Sequence, residues 1–319
     1  MMKKRAERSA AKMRLVETSD GRLVIRSPMA YLWLLLPLLF LVVFLLYPTL
    51  MTARMAFYEK FSYITSTGSG FGLSAFQYVL TDPVFWTAAR NTLILLLVAL
   101  PITVLLALVI ALLINSITKF QGFFQSIFFL PYVTSAIAIG SAFRCLFHSD
   151  YGYITWFLNL FGLEAKEWLT DSNLVIWTLC IFCIWNGLAY KIILFLAGLQ
   201  KIDKELYKAA KVDGASPLRT TLKITLPMLA PTTWMVAIMS MIYTAKTYNE
   251  VYALFTNYGG GGTAGNGNNA ITLVYYIYYQ FSQRNKVNYA AAAAILFLLF
   301  IVLLTTIQRV ASKKFVQYV

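Results

Sequence analysis

Few residues in this chain could do chemistry, and most of them sit among apolar neighbours. His148 is the single histidine, with Asp150 two positions on. A metal site or proton relay needs more ligands than that pair, so His148 reads as an exposed residue at a helix boundary. Cys145, Cys180 and Cys183 all fall in apolar stretches. The C-x-x-C spacing of the last two suits small helix-packing residues, and a disulfide framework is not expected there. No G-x-x-x-x-G-K-[ST] run occurs, and the glycines of TSTGSGFG read as a flexible turn.

What remains points to binding rather than bond-making. WNGLAYK offers Trp185, Asn186, Gly187, Tyr190 and Lys191; SMIYTAKTYNE offers Ser240, Tyr243, Lys246, Tyr248, Asn249 and Glu250. Rings, amides and hydroxyls together suit a sugar, whose faces are apolar and whose edges carry hydroxyls. Lys191 and Lys246 keep open an anionic cargo such as a uronic-acid oligosaccharide. Against a binding role, Gly187 could be a helix-packing contact, and Trp185 or Tyr190 could face lipid. Arg144, Lys191 and Lys246 are costly in apolar surroundings unless they snorkel, pair or line water. Lys246 and Glu250 stand four apart, the spacing of a pair on one helix face.

The elements that must position these groups are membrane helices. Of 319 residues 59% are hydrophobic and only 13% charged, against about 25% charged in soluble domains. Six runs contain no Asp, Glu, Lys or Arg: 27–53, 91–118, 120–143, 172–190, 224–245 and 287–308. Each is near or above the roughly 20 residues a helix needs to span hydrocarbon. Continuous apolarity, without strand alternation, makes them helices. The expected fold is an all-α membrane protein with six transmembrane helices, at about 29–53, 90–115, 122–147, 173–198, 228–250 and a last one ending at Arg309. The net charge of +14 is distributed along the loops rather than gathered in a nucleic-acid patch. With a cytoplasmic N-terminus, eighteen basic residues lie inside and six outside, the bias of the positive-inside rule. Both termini are therefore expected in the cytoplasm of a multi-pass cell-membrane protein. Residues 1–28 form a basic cytoplasmic tail, too charged for a signal peptide and suited to anionic lipid; 311–319 form a second tail.

Two segments expected outside stand out. HSDYGYITWFLNLFGLEAKEWLTDS reads as an interfacial aromatic belt or a docking surface. FTNYGGGGTAGNGNNAITLVYYIYYQFSQRNK is long and glycine-rich, a length that is usually either functional or disordered.

Between helices four and five, residues 199–227 form a loop with folded character. KIDKELYKAAKVD reads as a helix closed by Gly214; Ser216 reads as an N-cap, Pro217 as a first helical residue, and Pro227 as an elbow that holds Leu226 extended. Ala209, Ala210, Gly214 and Ala215 would let another surface approach the backbone. Composition alone also allows a mere interfacial connector. The spacing, however, resembles the E-A-A-x3-G-x9-I-x-L-P motif of binding-protein-dependent ABC importer permeases, in Ala209, Ala210, Gly214, Ile224, Leu226 and Pro227. LFLAGLQKIDKELYKAAKVDGAS resembles the carbohydrate-uptake branch, and YPTLMTARMAF and the final ASKKFVQYV are similar to the larger maltodextrin-type permease subunit. The resemblance covers about residues 29–310, and it departs where Lys208 replaces the family's glutamate.

The resemblance implies a transport subunit rather than an enzyme, with no cofactor of its own. Its partners would be a second homologous permease, two cytoplasmic ABC ATPase domains carrying ATP and magnesium, and an extracytoplasmic solute-binding protein. W-x-G-x-x-Y is similar to a segment lining the sugar cavity of maltodextrin-type permeases, which singles out Gly187 and Tyr190. The alternative class is a secondary transporter or channel driven by an ion gradient. That class calls for an inverted repeat and intramembrane carboxylates, and only Glu250 approaches the second requirement.

Overall fold

A computed structural model describes residues 14–17, 23–26, 28–62, 65, 67–117, 119–162, 164, 166–256 and 264–315. Most of the basic tail, residues 257–263 of the glycine-rich loop and residues 316–319 lie outside the described residues. The chain divides into two units, residues 1–55 and 56–319.

In the first unit, β1 (Arg14–Glu17) and β2 (Leu23–Arg26) pair antiparallel, Arg14 opposite Arg26. The helical run α1 (Leu32–Ala56) follows, and every side chain from Leu32 to Leu50 is exposed. A helix apolar on all sides and exposed on all sides is one that lipid can solvate.

In the second unit, β3 (Tyr58–Ser62) and β4 (Thr67–Phe71) form another antiparallel pair. TSTGSGFG is thus largely strand rather than flexible turn: Gly68 lies beneath the Tyr58 ring, where an added Cβ would come within 2.5 Å of the ring. Helices α2 (Ser74–Thr81), α3 (Pro83–Ser116), α4 (Gln121–Val133), α5 (Ala136–Leu146) and α6 (Tyr153–Leu160) come next. Then follow α7 (Val175–Leu199), α8 (Lys204–Val212), α9 (Pro217–Ala245), α10 (Asn249–Phe255), α11 (Leu273–Tyr278) and α12 (Val287–Phe315). Helix α12 runs past the expected end at Arg309. Among the described residues five helices are long and apolar enough to cross a membrane, or six if α4 and α5 count as one span.

Three expectations change. The third span is not straight: α4 and α5 meet at 96°. The Thr134 hydroxyl donates to the Leu130 carbonyl at 3.0 Å, and Thr134 is extended (ψ 145°). Such a side chain competes with the helical backbone for its own partners. The fifth span ends at Ala245, and Lys246, Thr247 and Tyr248 separate it from α10. Leu226 is also helical rather than extended, and α9 continues through Leu226-Pro227.

The reason is a wide turn. Leu226 is helical (φ −64°, ψ −44°) and its N–H reaches back five residues to the Thr221 carbonyl. A proline ring ordinarily clashes with the carbonyl four residues back. A π-turn displaces that carbonyl and absorbs the missing donor, so the helix continues instead of stopping. The same device recurs before Pro101, where the Leu100 N–H reaches Leu95, and before Pro48, where the Tyr47 N–H reaches Val42.

The core of the second unit is built on α3, α7 and α9. Ala107, Ala111 and Ile114 pack with Ile192, Phe195, Leu196 and Leu229. Small alanines let helix backbones approach closely, the usual source of attraction between helices in lipid. The pair α5 and α10 shows it most sharply: a Cβ on Gly140 would collide with that of Ala253.

Candidate functional site

A cavity of about 450 Å³ opens where the two helix breaks meet α7. From α7 come Asn186, Gly187, Tyr190 and Lys191, which the 3.6-residue repeat places on one face. Ser240 and Tyr243 come from the end of α9. Lys246 stands in the break, and Asn249 and Glu250 open α10. Tyr132, from the last turn of α4, completes the wall and stacks on Tyr190 with ring centres 5.6 Å apart and 19° between planes. Of the binding residues expected from sequence, Trp185 and Tyr248 are not in the lining. The Trp185 ring packs against Phe143, 4.9 Å away, and the Tyr248 ring packs against Tyr275 and Tyr278. Tyr132 was not foreseen, because nothing local shows that the chain turns there.

The charged groups are arranged differently from the expected Lys246–Glu250 pair. The break at residues 246–248 interrupts the helical face that would have joined them, and among the described residues they make no ion pair. Lys246 is exposed. Glu250 is only 5% exposed, and its Oε1 accepts from the Tyr243 hydroxyl (3.1 Å) and from Asn186 Nδ2 (3.4 Å). One carboxylate thus ties α7, α9 and α10 together. Lys191, also 5% exposed, donates from Nζ to the Gly187 carbonyl at 3.0 Å. Arg144 crosses from α5 to donate to the Ala253 and Thr256 carbonyls at the end of α10. Its charge therefore meets helix C-terminal carbonyls, where cations are favoured. His148 is half-buried rather than exposed; its Nδ1 accepts from the Asp150 N–H at 3.1 Å and its ring stacks on Tyr151.

The second half of the glycine-rich loop is folded and largely buried. Asn91 Nδ2 donates to the Asn269 and Ile271 carbonyls (2.8 and 2.9 Å), and the Leu273 N–H donates to Thr92 Oγ1 (3.0 Å). The Thr272 hydroxyl donates to the Thr247 carbonyl (2.6 Å) and the Tyr276 hydroxyl to Asp82 Oδ2 (2.7 Å). Asp82 also caps α3 by accepting from the Val84 N–H.

The loop between α7 and α9 has the local structure its sequence specifies. Asp203 caps α8 by accepting from the Glu205 N–H at 2.9 Å. At the other end Gly214 takes φ +68°, the Ala215 N–H reaches the Ala210 carbonyl and the Gly214 N–H reaches Lys211. These two bonds are the Schellman closure, and only the glycine takes that φ without strain. Ser216 caps the start of α9, accepting from the Arg219 N–H at 3.4 Å, and Pro217 is its first residue. The Tyr207 hydroxyl and Thr225 Oγ1, 3.1 Å apart, hold the two helices together. Of the motif residues, Ala210 is buried, Ile224 and Leu226 are half-buried, and Lys208, Ala209, Gly214 and Pro227 are exposed. Lys208 pairs with Glu205 on its own helix at 2.8 Å.

Residues 24–317 match the family of binding-protein-dependent transport system inner membrane components. The lactose transport system permease protein LacF of Rhizobium radiobacter is 34% identical over 226 residues, 68% of this chain and 73% of that protein. The arabinooligosaccharides transport system permease protein AraP of Bacillus subtilis is 33% identical over 217 residues, 67% of this chain and 68% of that protein. In three dimensions the chain resembles one from a bacterial ABC transporter involved in import of the acidic polysaccharide alginate, with TM-score 0.76, 22% identity, and 91% and 96% of the two chains covered. At that identity the likeness speaks for the fold. Sequence match and shared fold agree: the chain belongs to the family of multi-pass inner-membrane components of binding-protein-dependent transport systems.

Proposed function

We propose that this chain is a permease subunit of an ATP-driven importer, taking up a sugar or oligosaccharide delivered by an extracytoplasmic binding protein. The observation that carries the reading is the capped hairpin of α8 and the start of α9. Its local bonds are satisfied while its apolar side chains are not covered: Val212 is 87% exposed and Leu218 70%. Such a surface suits a protein groove better than water. In this reading the hairpin and both termini face the cytoplasm, and Lys208, Ala209, Ala210, Gly214, Ile224, Leu226 and Pro227 form or brace the contact with an ABC ATPase. ATP and magnesium would act there, on the partner. A second homologous permease would supply the other half of the pathway.

The continuity of α9 supplies the mechanics. Helix Pro217–Ala245 has 29 residues, so at 1.5 Å per residue it is a rod about 43 Å long. One end carries the hairpin turn and the other carries Ser240 and Tyr243 of the cavity. Displacement of the hairpin by a closing ATPase pair would therefore be carried along one continuous helix to the cavity wall. The sugar assignment draws on the relatives that transport lactose and arabinooligosaccharides, and on a cavity with a stacked tyrosine pair beside amide and hydroxyl groups. Lys191 and Lys246 in the lining support a second reading, in which the cargo is an anionic saccharide.

Purification in mild detergent tests the class. It should recover an ATPase whose hydrolysis rises with cargo-loaded binding protein. Uphill transport by this chain without any nucleotide-hydrolysing partner would end the reading and favour an ion-gradient-driven transporter.

A further inference from the structure

We propose that Glu250 contacts the cargo and determines its charge class, so that the cavity selects a neutral saccharide over a uronate. The inference rests on the saccharide reading above and decides between its two forms. Glu250 is the one carboxylate among the lining residues, and only 5% of it is exposed. An ionised carboxylate accepts about four hydrogen bonds and donates none. Here two neutral donors, Tyr243 and Asn186, converge on the single atom Oε1. Among the described residues Oε2 has no hydrogen-bond partner, so acceptor capacity is left for a ligand at the cavity wall. A sugar ring meets it well, since adjacent hydroxyls can both donate. A uronate carboxylate cannot donate and brings like charge.

The lysines might be thought to reverse that preference, but their exposures differ. Lys246 is exposed and screened by water and salt. Lys191 is buried to the same degree as Glu250, at 5% exposure, and its ammonium already donates to the Gly187 carbonyl. The two buried charges of the lining are opposite in sign, so neither sign dominates its buried part. Replacing Glu250 by a neutral residue would leave Lys191 as the one buried charge of the lining, which favours an anion. A cationic cargo fits poorly, because it would meet Lys191 and Lys246 in the same lining.

The test uses the purified complex with its ATPase and measures equilibrium binding of three probes: lactose, arabinotriose and trigalacturonate. Wild type is expected to bind a neutral probe in preference to trigalacturonate. In Glu250→Gln the neutral probe should weaken about tenfold, the scale of one hydrogen bond to a charged group, while trigalacturonate tightens. Glu250→Asp should restore the neutral preference. Equal weakening of all probes would mark a structural role for Glu250 and overturn the proposal, as would an unchanged ratio. A wild-type preference for trigalacturonate would overturn it too, while leaving the saccharide reading in place. Binding of none of the three would instead sink the saccharide reading itself. If Glu250→Gln does not assemble, Lys191→Gln provides the mirror: with the buried cation of the lining gone, discrimination against trigalacturonate should sharpen, and no change or a reversal overturns the proposal.

Discussion

Two regions of this molecule are held by hydrogen bonds laid out in opposite ways. The hairpin of α8 and α9 is exposed and bonded locally: Asp203 to Glu205, Ala215 to Ala210, Ser216 to Arg219. The segment from Ala264 to Gln280 is largely buried and bonded at long range, to Asp82, Asn91, Thr92 and Thr247. Ala264, Ile271, Thr272, Tyr276 and Gln280 have no exposed surface at all. A local, exposed element can be shaped for a partner without holding the fold together. A buried, long-range one holds the ends of several helices in place. Damage to the first should therefore cost transport, and damage to the second should cost stability.

The largest effect is expected in the hairpin. Gly214→Asp should abolish uptake while the chain still folds and inserts, its stability lowered by no more than the about 1–2 kcal/mol that a left-handed non-glycine residue costs. Nothing lies within 4 Å of a Cβ added at Gly214. Loss of uptake in the folded, inserted chain would thus come from a partner's approach rather than internal crowding; normal uptake would break the comparison. Next comes Asn91→Ala in the other region. It removes the donor to two carbonyls, Asn269 and Ile271, and each buried group left unpaired costs about 1–3 kcal/mol. A clear fall in the melting temperature is expected, with uptake per folded molecule retained.

Tyr276→Phe should cost somewhat less, about 1–2 kcal/mol, by removing the bond to Asp82. It also carries a pH signature. Burial first, and then the bond to Asp82, hold the Tyr276 phenol well above its ordinary value. The folded chain therefore keeps a proton that the unfolded chain loses near pH 10. Its contribution is intact below about pH 10 and declines as the pH rises beyond, because the unfolded state then binds fewer protons. Melting measured from pH 8 to 11 should fall more shallowly in Tyr276→Phe than in wild type.

The contrast also explains what the sequence revealed. Gly214, Ser216 and Pro217 announce their geometry within a few residues, so the hairpin was legible. Charge-free runs made the spans legible, and the spacing of Asn186, Gly187, Tyr190 and Lys191 made one wall of the cavity legible. Tyr132 was hidden because its place depends on the 96° turn after it. The break at Lys246 was hidden for the same kind of reason: α10 is held by Arg144 and by the contact of Gly140 with Ala253, all from α5. The helical state of Leu226 was hidden as well, since a proline signal does not reveal that a π-turn will absorb it. The buried segment looked like a long glycine-rich loop because its partners are some 180 residues away, as with Asn91 and Ile271.

Ser216→Ala should cost the hairpin about 1 kcal/mol, the usual value of an N-cap, and lower uptake only in part. The smallest effect belongs to Lys208, and it sharpens the comparison most finely. Its bond to Glu205 is short, 2.8 Å, yet both side chains are 71% exposed. Water and salt screen such a pair, and i,i+3 pairs on helices add only about 0.2–0.5 kcal/mol. Lys208→Ala should leave the melting temperature unchanged at any salt concentration, whereas Asn91→Ala, which loses bonds of similar length, should not. The difference between them is burial rather than distance. A loss above about 1 kcal/mol in Lys208→Ala would mean that the hairpin is coupled to the folded core, against the local, self-contained character that its caps and exposure assign to it.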